Sequence, residues 1–189
     1  MWILASASPR RKELLAEILP EFEIIPSLAD ESVVGTPAPK EFVEILAERK
    51  AREVASRTEN EGKIVLGADT VVAYGNEILG KPKDEEDAFR MLKMLSGKKH
   101  EVYTGVCICV CQNGQARHIV QADKTDVYFN ELSNAWIWKY IRGGSPMDKA
   151  GAYGIQDGGL VAKIEGSYSN VVGLPIELCE KMIKDFKQQ

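Results

Sequence analysis

The residues of this chain best suited to chemistry are charges placed where the local pattern would not put them. Asp69 lies in KIVLGADTVVA, a run whose one face carries Ile64, Leu66, Ala68 and Val72 and whose other face carries Val65, Gly67, Val71 and Ala73. Apolar residues on both faces mark a covered, central strand. An ionised carboxylate in such a strand is costly unless a cation, a metal or a set of donors compensates it. A structural salt bridge would satisfy it, and so would a catalytic or metal-binding role. Thr70 follows on the opposite face of an ideal strand.

Lys50 breaks a second pattern. In KEFVEILAERKAREVA the apolar stripe runs through Val43, Leu46, Ala47 and Val54, and Lys50 sits on that same stripe. Its stem either snorkels to water or carries the ammonium into a polar cleft. Arg10 and Arg11 break a third, because Ser8 and Pro9 announce a helix start. Cations in a first turn oppose the helix dipole by roughly 0.3–1 kcal/mol each. Two solvated side chains would tolerate that penalty; alternatively the helix end, the guanidinium groups and the Ser6 and Ser8 hydroxyls together form an anion site. Lys81 in GKP is a plain surface turn when read alone. Read together, four cations beside Asp69 and Glu31 suit phosphoanhydride chemistry, in which cations neutralise phosphate oxygens and a carboxylate positions or deprotonates water.

The elements that must position these groups alternate along the chain. A strand at Trp2–Ala5 leads to a helix at Pro9–Leu19, a strand at Phe22–Ile25 and a loop holding Ala29-Asp30-Glu31-Ser32. A long helix from about Lys40 to Arg57 precedes the Asp69 strand, Lys63–Ala73. A turn at Tyr74-Gly75-Asn76-Glu77 gives a short second strand ending at Gly80-Lys81-Pro82, and Asp84 caps a helix that stops at Gly97. Two long β runs, Glu101–Gln112 and Gln115–Phe129, join at Asn113-Gly114, a strong hairpin signal. Helices near Ser133–Ile141 and Pro175–Phe186 bracket a glycine-rich section. The order predicts an α/β fold with a mixed, partly antiparallel central sheet flanked by helices.

Bulk properties narrow the partners. The 189 residues suffice for one domain, or two small lobes around one cleft, and the formal net charge of −4 argues against long-range attraction to nucleic acid or an anionic membrane. No apolar run approaches the length of a membrane span, and the start does not resemble a signal peptide, so a cytoplasmic location is the default expectation. Cys107, Cys109 and Cys111 alternate on one face of a predicted strand, which suits buried reduced thiols better than a zinc site. In DKAGAYGIQDGGLVAKIEGSYSNVVGLP the glycines permit close backbone approach, while Tyr153, Gln156 and Asn170 offer groups suited to the edge of a base. Glycine-rich turns are also simply turns.

The segments SASPRRKELL, ADES, LAERKA, GADTVV, GKP, LSGKKHEVYTGV, DKAGAYGIQ and GSYSNVVGLP, in this order, resemble the Maf-like nucleoside triphosphate pyrophosphatases. The resemblance spans nearly the whole chain. It implies a single domain over residues 1–189 with a Maf/ITPase-like fold, two lobes around a deep cleft, a cytoplasmic location and frequent homodimers. It further implies hydrolysis between the α- and β-phosphates of a nucleoside triphosphate, with a divalent cation, Mg²⁺ or Mn²⁺. Carried over by position, Asp69 resembles the proton acceptor, while Ser6, Ser8, Arg10, Arg11, Lys50 and Lys81 resemble the phosphate-binding set. Glu31 joins Asp69 as a metal-side carboxylate, and positions matching Arg10, Thr70 and Gln156 are associated with substrate choice.

The GAYGIQ wording is similar to the branch acting on dTTP and UTP rather than the 7-methyl-GTP branch. A glutamine amide can pair with the donor and acceptor edge of uracil or thymine. Asp157 departs from the family pattern, in which a glycine commonly follows GIQ. The family is also linked with septum inhibition and with clearing non-standard nucleotides, so a nucleotide-sensing regulator of cell division is the reading from another class. For the arginine pair, ligand charge would offset the repulsion at the helix end. On that reading Arg11→Ala weakens triphosphate binding and leaves the empty protein no less stable.

Overall fold

A computed structural model describes residues 1–75, 77–144 and 146–188. Asn76, in the predicted turn, lies outside the described residues. In chain order the main elements are β1 (Trp2–Leu4), α1 (Pro9–Ile18), β2 (Glu23–Ile24), α2 (Pro39–Ala55), β3 (Ile64–Tyr74), β4 (Glu77–Leu79), α3 (Glu85–Leu95), β5 (Lys99–Gln112), β6 (Gln115–Phe129), α4 (Asn134–Gly143), β7 (Val161–Glu165), α5 (Tyr168–Val172) and α6 (Ile176–Lys187). The strands form a mixed sheet in the order β2-β1-β3-β5-β6-β7, with β4 paired to β3. The chain divides into two compact units, one made of residues 1–69, 104–123 and 173 onward, the other of residues 70–103 and 124–172.

In the first unit β1 lies parallel to both β2 and β3, with Leu4 opposite Ile24 and Leu66. The two-residue period of a strand splits the apolar side chains between two layers. Trp2, Leu4, Leu66 and Ala68 pack with Leu15 of α1 and with Met182 and Phe186 of α6. Ile3, Val65, Cys107 and Cys109 pack under Ala47, Ala51 and Val54 of α2. Gly67 and Gly105 allow that helix to sit close: a Cβ on Gly67 would lie 2.7 Å from the Ala47 carbonyl oxygen and the Ala51 nitrogen. The Asn113-Gly114 hairpin forms with both residues left-handed, at φ 52° and 74°.

The two buried thiols of this layer, Cys107 and Cys109, are held in the protonated form. Burial pushes Cys109 up to about 12 and raises Cys107 as well, so neither supplies a thiolate near neutral pH. Among the described residues no three His, Cys, Asp or Glu side chains group as a metal site, and no helix is long and apolar enough to cross a membrane.

In the second unit the end of β3 pairs antiparallel with β4, and β6 pairs antiparallel with β7 through a bulge between Tyr128 and Phe129. Met91, Leu92 and Leu95 of α3 and Ile137 and Ile141 of α4 meet Val72, Val102, Val127, Phe129 and Tyr153 in one core. Asp84 caps α3 by accepting from the Asp87 N–H at 2.8 Å, and Ser133 caps α4 by accepting from the Trp136 N–H at 3.2 Å. β7 and α5 carry no clear sequence signal, because the surrounding glycines hide a short strand and a helix of little more than one turn.

Candidate active site

Seven of the ten residues singled out by sequence, Ser6, Ser8, Arg10, Arg11, Glu31, Lys50 and Asp69, belong to the first unit; Thr70, Lys81 and Gln156 belong to the second. Asp69 follows Val65 and Gly67 at two-residue steps, so all three share the face that α2 covers. Where Gly67 meets the α2 backbone, Asp69 meets Lys50. The ammonium lies 2.6 Å from Asp69 Oδ1 and 2.8 Å from Glu31 Oε1. The Lys50 and Asp69 side chains are 13% and 12% exposed, whereas Glu31 is 63% exposed. The cation thus compensates a nearly buried carboxylate that would otherwise be strongly destabilising, and it gathers a second carboxylate from the loop.

α2 also holds that loop. Arg49 donates to the carbonyls of Asp30 and Ser32, and Glu53 accepts from the Leu28 N–H at 2.9 Å and from Ser27 Oγ at 2.8 Å. Asp30 closes the turn by accepting from the Ser32 hydroxyl and N–H, bonds that hold its carboxyl below the usual range. Burial would raise Glu53, but its hydrogen bonds from Leu28 and Ser27 and its pairing with Arg57 leave it lowered. Arg49 and Glu53 carried no signal in the sequence, since charged residues on an exposed helix face are ordinary.

At the start of α1, Ser8 accepts from the Arg11 N–H at 3.4 Å, and no acidic residue occupies the first turn. Arg11 turns its guanidinium inward. Nε donates to the Gly173 carbonyl at 2.9 Å, and Nη1 donates to the Ala68 carbonyl at 2.9 Å and to Ser6 Oγ at 3.4 Å. Burial pulls the guanidinium below its usual range, partly opposed by the charge of Asp69. The Ala68 carbonyl belongs to the residue before Asp69, so Arg11 braces the end of the Asp69 strand.

These bonds give Arg11 a structural role in the ligand-free protein. Removing Arg11 strips charged donors from two main-chain carbonyls, and Arg11→Ala is expected to cost the ligand-free protein about 2 kcal/mol. Chemical denaturation without nucleotide measures it. An unchanged midpoint and slope would restore the idea that Arg11 serves only a ligand.

In the second unit Lys81 is exposed in the loop after β4, and Gln156 is exposed in a short 3-10 turn, Ile155–Asp157. The two other groups considered for a base edge are committed to the core. Tyr153 is buried with its hydroxyl 2.8 Å from His100 Nε2, and Asn170 Nδ2 donates to the Val102 carbonyl and to Thr125 Oγ1 at 3.0 Å each. Lys149 is buried beside Asp148 at 3.0 Å, and a lysine in a glycine-rich stretch gives no sequence signal of burial.

Comparison with known proteins agrees with these motifs. The family model for Maf-like proteins matches residues 1–186. A dTTP/UTP pyrophosphatase of Thermococcus kodakarensis is 53% identical over 184 residues, covering 96% of this chain and 95% of that one. Proteins of the same name from Thermococcus gammatolerans and a Geobacillus strain are 50% and 49% identical over 184 residues, covering 96% of this chain and 95% and 96% of theirs. At the level of fold alone, the structure of the Staphylococcus aureus Ham1 protein superposes with a TM-score of 0.53 at 14% identity, covering 98% of each chain. Matched over nearly its full length by that model and by relatives at about half identity, the chain belongs to the Maf-like protein family.

Proposed function

We propose that this protein hydrolyses dTTP and UTP to the nucleoside monophosphate and pyrophosphate. The observation that carries the reading is the Asp69 carboxylate, set in a covered strand and held by Lys50 at 2.6 Å, in a chain about 50% identical to proteins bearing that name. With Oδ1 engaged by Lys50, the second oxygen of Asp69 takes the proton of the attacking water. The water oxygen bonds to the α-phosphorus, the bond from that phosphorus to the bridging oxygen breaks, and pyrophosphate leaves with the electron pair. Arg10, Lys50 and Lys81 supply positive charge for the triphosphate oxygens, and the Ser6 and Ser8 hydroxyls supply donors. Gln156 reads the base, and Arg10 and Thr70 contribute to substrate choice.

The donor set suits Mg²⁺ or Mn²⁺. Glu31 and Asp69 meet at one point, the Lys50 ammonium, and hard divalent cations are commonly held by one or two carboxylates together with substrate phosphates. When bound, such a cation neutralises charge on the phosphate oxygens. The whole chain acts as one catalytic domain in this reading, and a role in septum arrest would follow from the same activity on nucleotide pools.

The test is a panel of canonical and modified triphosphates assayed for pyrophosphate release. Turnover of dTTP and UTP with Mg²⁺ or Mn²⁺, abolished by chelation, is the expected result. Preference for 7-methyl-GTP would move the chain to the other branch. Absence of turnover on every triphosphate, with tight binding retained, would favour a nucleotide sensor.

A further inference from the structure

The turn that carries Gln156 is fastened on both sides within the second unit. On the inner side, Gly151 and Ala152 are both left-handed, at φ 66° and 61°, which costs Ala152 strain and drives Tyr153 into the core. A Cβ on Gly151 would lie 2.7 Å from Val72 Cγ2, so only glycine lets the chain pass that close to β3. The Gly151 N–H donates to the Gly80 carbonyl at 3.0 Å, next to Lys81. Tyr153 then packs edge-on against Phe129, with ring centres 4.7 Å apart, and shares its hydroxyl with His100 Nε2 at 2.8 Å. Burial holds His100 down to about 4, so it is a neutral partner at physiological pH.

On the outer side stands Asp157, the residue that departs from the family pattern. Tyr140 of α4 donates its hydroxyl to Asp157 Oδ2 at 2.5 Å and accepts from the Gly154 N–H at 3.2 Å. One phenol therefore ties the first residue before the turn to its last. Trp136 stacks on Tyr140 with ring centres 5.4 Å apart and planes 9° apart, and it also backs Gly159, where a Cβ would sit 3.1 Å from Trp136 Cζ2. Gln156 lies between the two anchored ends and is itself exposed.

We infer that Tyr140 and Asp157 form a latch that positions the Gln156 turn, making them specificity-determining positioning residues of this chain. The inference rests on the reading that Gln156 contacts the base. A primary amide can present its oxygen or its NH₂ to a partner, so a loose glutamine can serve cytosine as well as thymine. Holding the turn from both ends limits that adaptation. Asp157 thereby acts through Tyr140 and Gly154, and no contact of its own with the triphosphate is required.

The experiment measures kcat and KM for dTTP and dCTP in wild type, Gln156→Ala, Tyr140→Phe, Asp157→Gly and Asp157→Asn, with thermal midpoints for each. Loss of one charge-assisted hydrogen bond predicts that Tyr140→Phe and Asp157→Gly each raise KM for dTTP about five- to tenfold, with kcat within about twofold. The dTTP-over-dCTP preference falls by a similar factor, and the double variant is no worse than either single one. Asp157→Asn, whose amide oxygen still accepts from Tyr140, recovers part of the loss. Lowered thermal midpoints with KM and preference unchanged would overturn the latch as a specificity device. If Gln156→Ala abolishes the preference and Tyr140→Phe does not, the latch alone fails; if Gln156→Ala leaves the preference intact, the base-reading role of Gln156 fails and the latch falls with it.

Discussion

Replacing Asp69 by Asn is expected to lower turnover of dTTP at least about a hundredfold, the usual scale for removing a positioned general base. The substitution keeps the size of the side chain and an oxygen that can accept from the Lys50 ammonium, now 2.6 Å from Asp69 Oδ1. Glu31 remains at 2.8 Å, so the largely buried cation retains an ionic partner and the fold is not expected to open. Only the capacity to take a proton is lost. Binding of a non-hydrolysable dTTP analogue should stay within about threefold, giving the signature of an interaction used in the transition state. Turnover within tenfold of wild type would remove Asp69 from the chemistry, and a parallel collapse of binding would recast it as a residue that merely organises the phosphate site.

The unusual positions of Lys50 and Asp69 were legible from two simple periods, but their pairing was not. A helical repeat puts Lys50 on the buried stripe of α2, and a strand repeat puts Asp69 on a covered face. Each charge was improbable alone, and each is the other's compensation. The brace made by Arg11 was not legible, because one of its acceptors is the main-chain carbonyl of Gly173, 162 residues away, and carbonyls leave no trace in side-chain pattern. Charge in a first turn signals a nearby anion or acceptor without saying which, and for Arg11 the structure shows main-chain acceptors. Tyr153 and Asn170 misled in the opposite direction. Polar atoms in a glycine-rich stretch suggest an exposed binding edge, yet His100, Val102 and Thr125 satisfy them inside the second unit. The Tyr140–Asp157 bond links a helix to a turn 17 residues on and has no periodic signature.

Gly105→Ala is expected to destabilise the protein by about 3 kcal/mol or more, at the upper end of overpacking costs. The added Cβ would lie 2.3 Å from the Val43 carbonyl oxygen and 2.5 Å from its carbon. Both are helix backbone, which cannot rotate aside as a side chain can, so α2 must lift or β5 must bend. Gly67 makes the same demand one strand away, at 2.7 Å from the Ala47 oxygen. These two glycines therefore set the distance of α2 from the sheet, and α2 carries Lys50 together with the Arg49 and Glu53 contacts that place Glu31. A helix displaced by an ångström weakens the 2.6 Å contact to Asp69 even in molecules that stay folded. Activity per folded molecule should accordingly fall along with the denaturation midpoint. Gly143→Ala, where a Cβ meets nothing within 4 Å, is the matched control and should change stability by no more than about 1 kcal/mol. A Gly105→Ala protein that keeps wild-type stability would mean that α2 has slack against the sheet. One that loses stability but keeps full activity per folded molecule would mean that Lys50 reaches Asp69 by its own flexibility, without help from the seat of its helix.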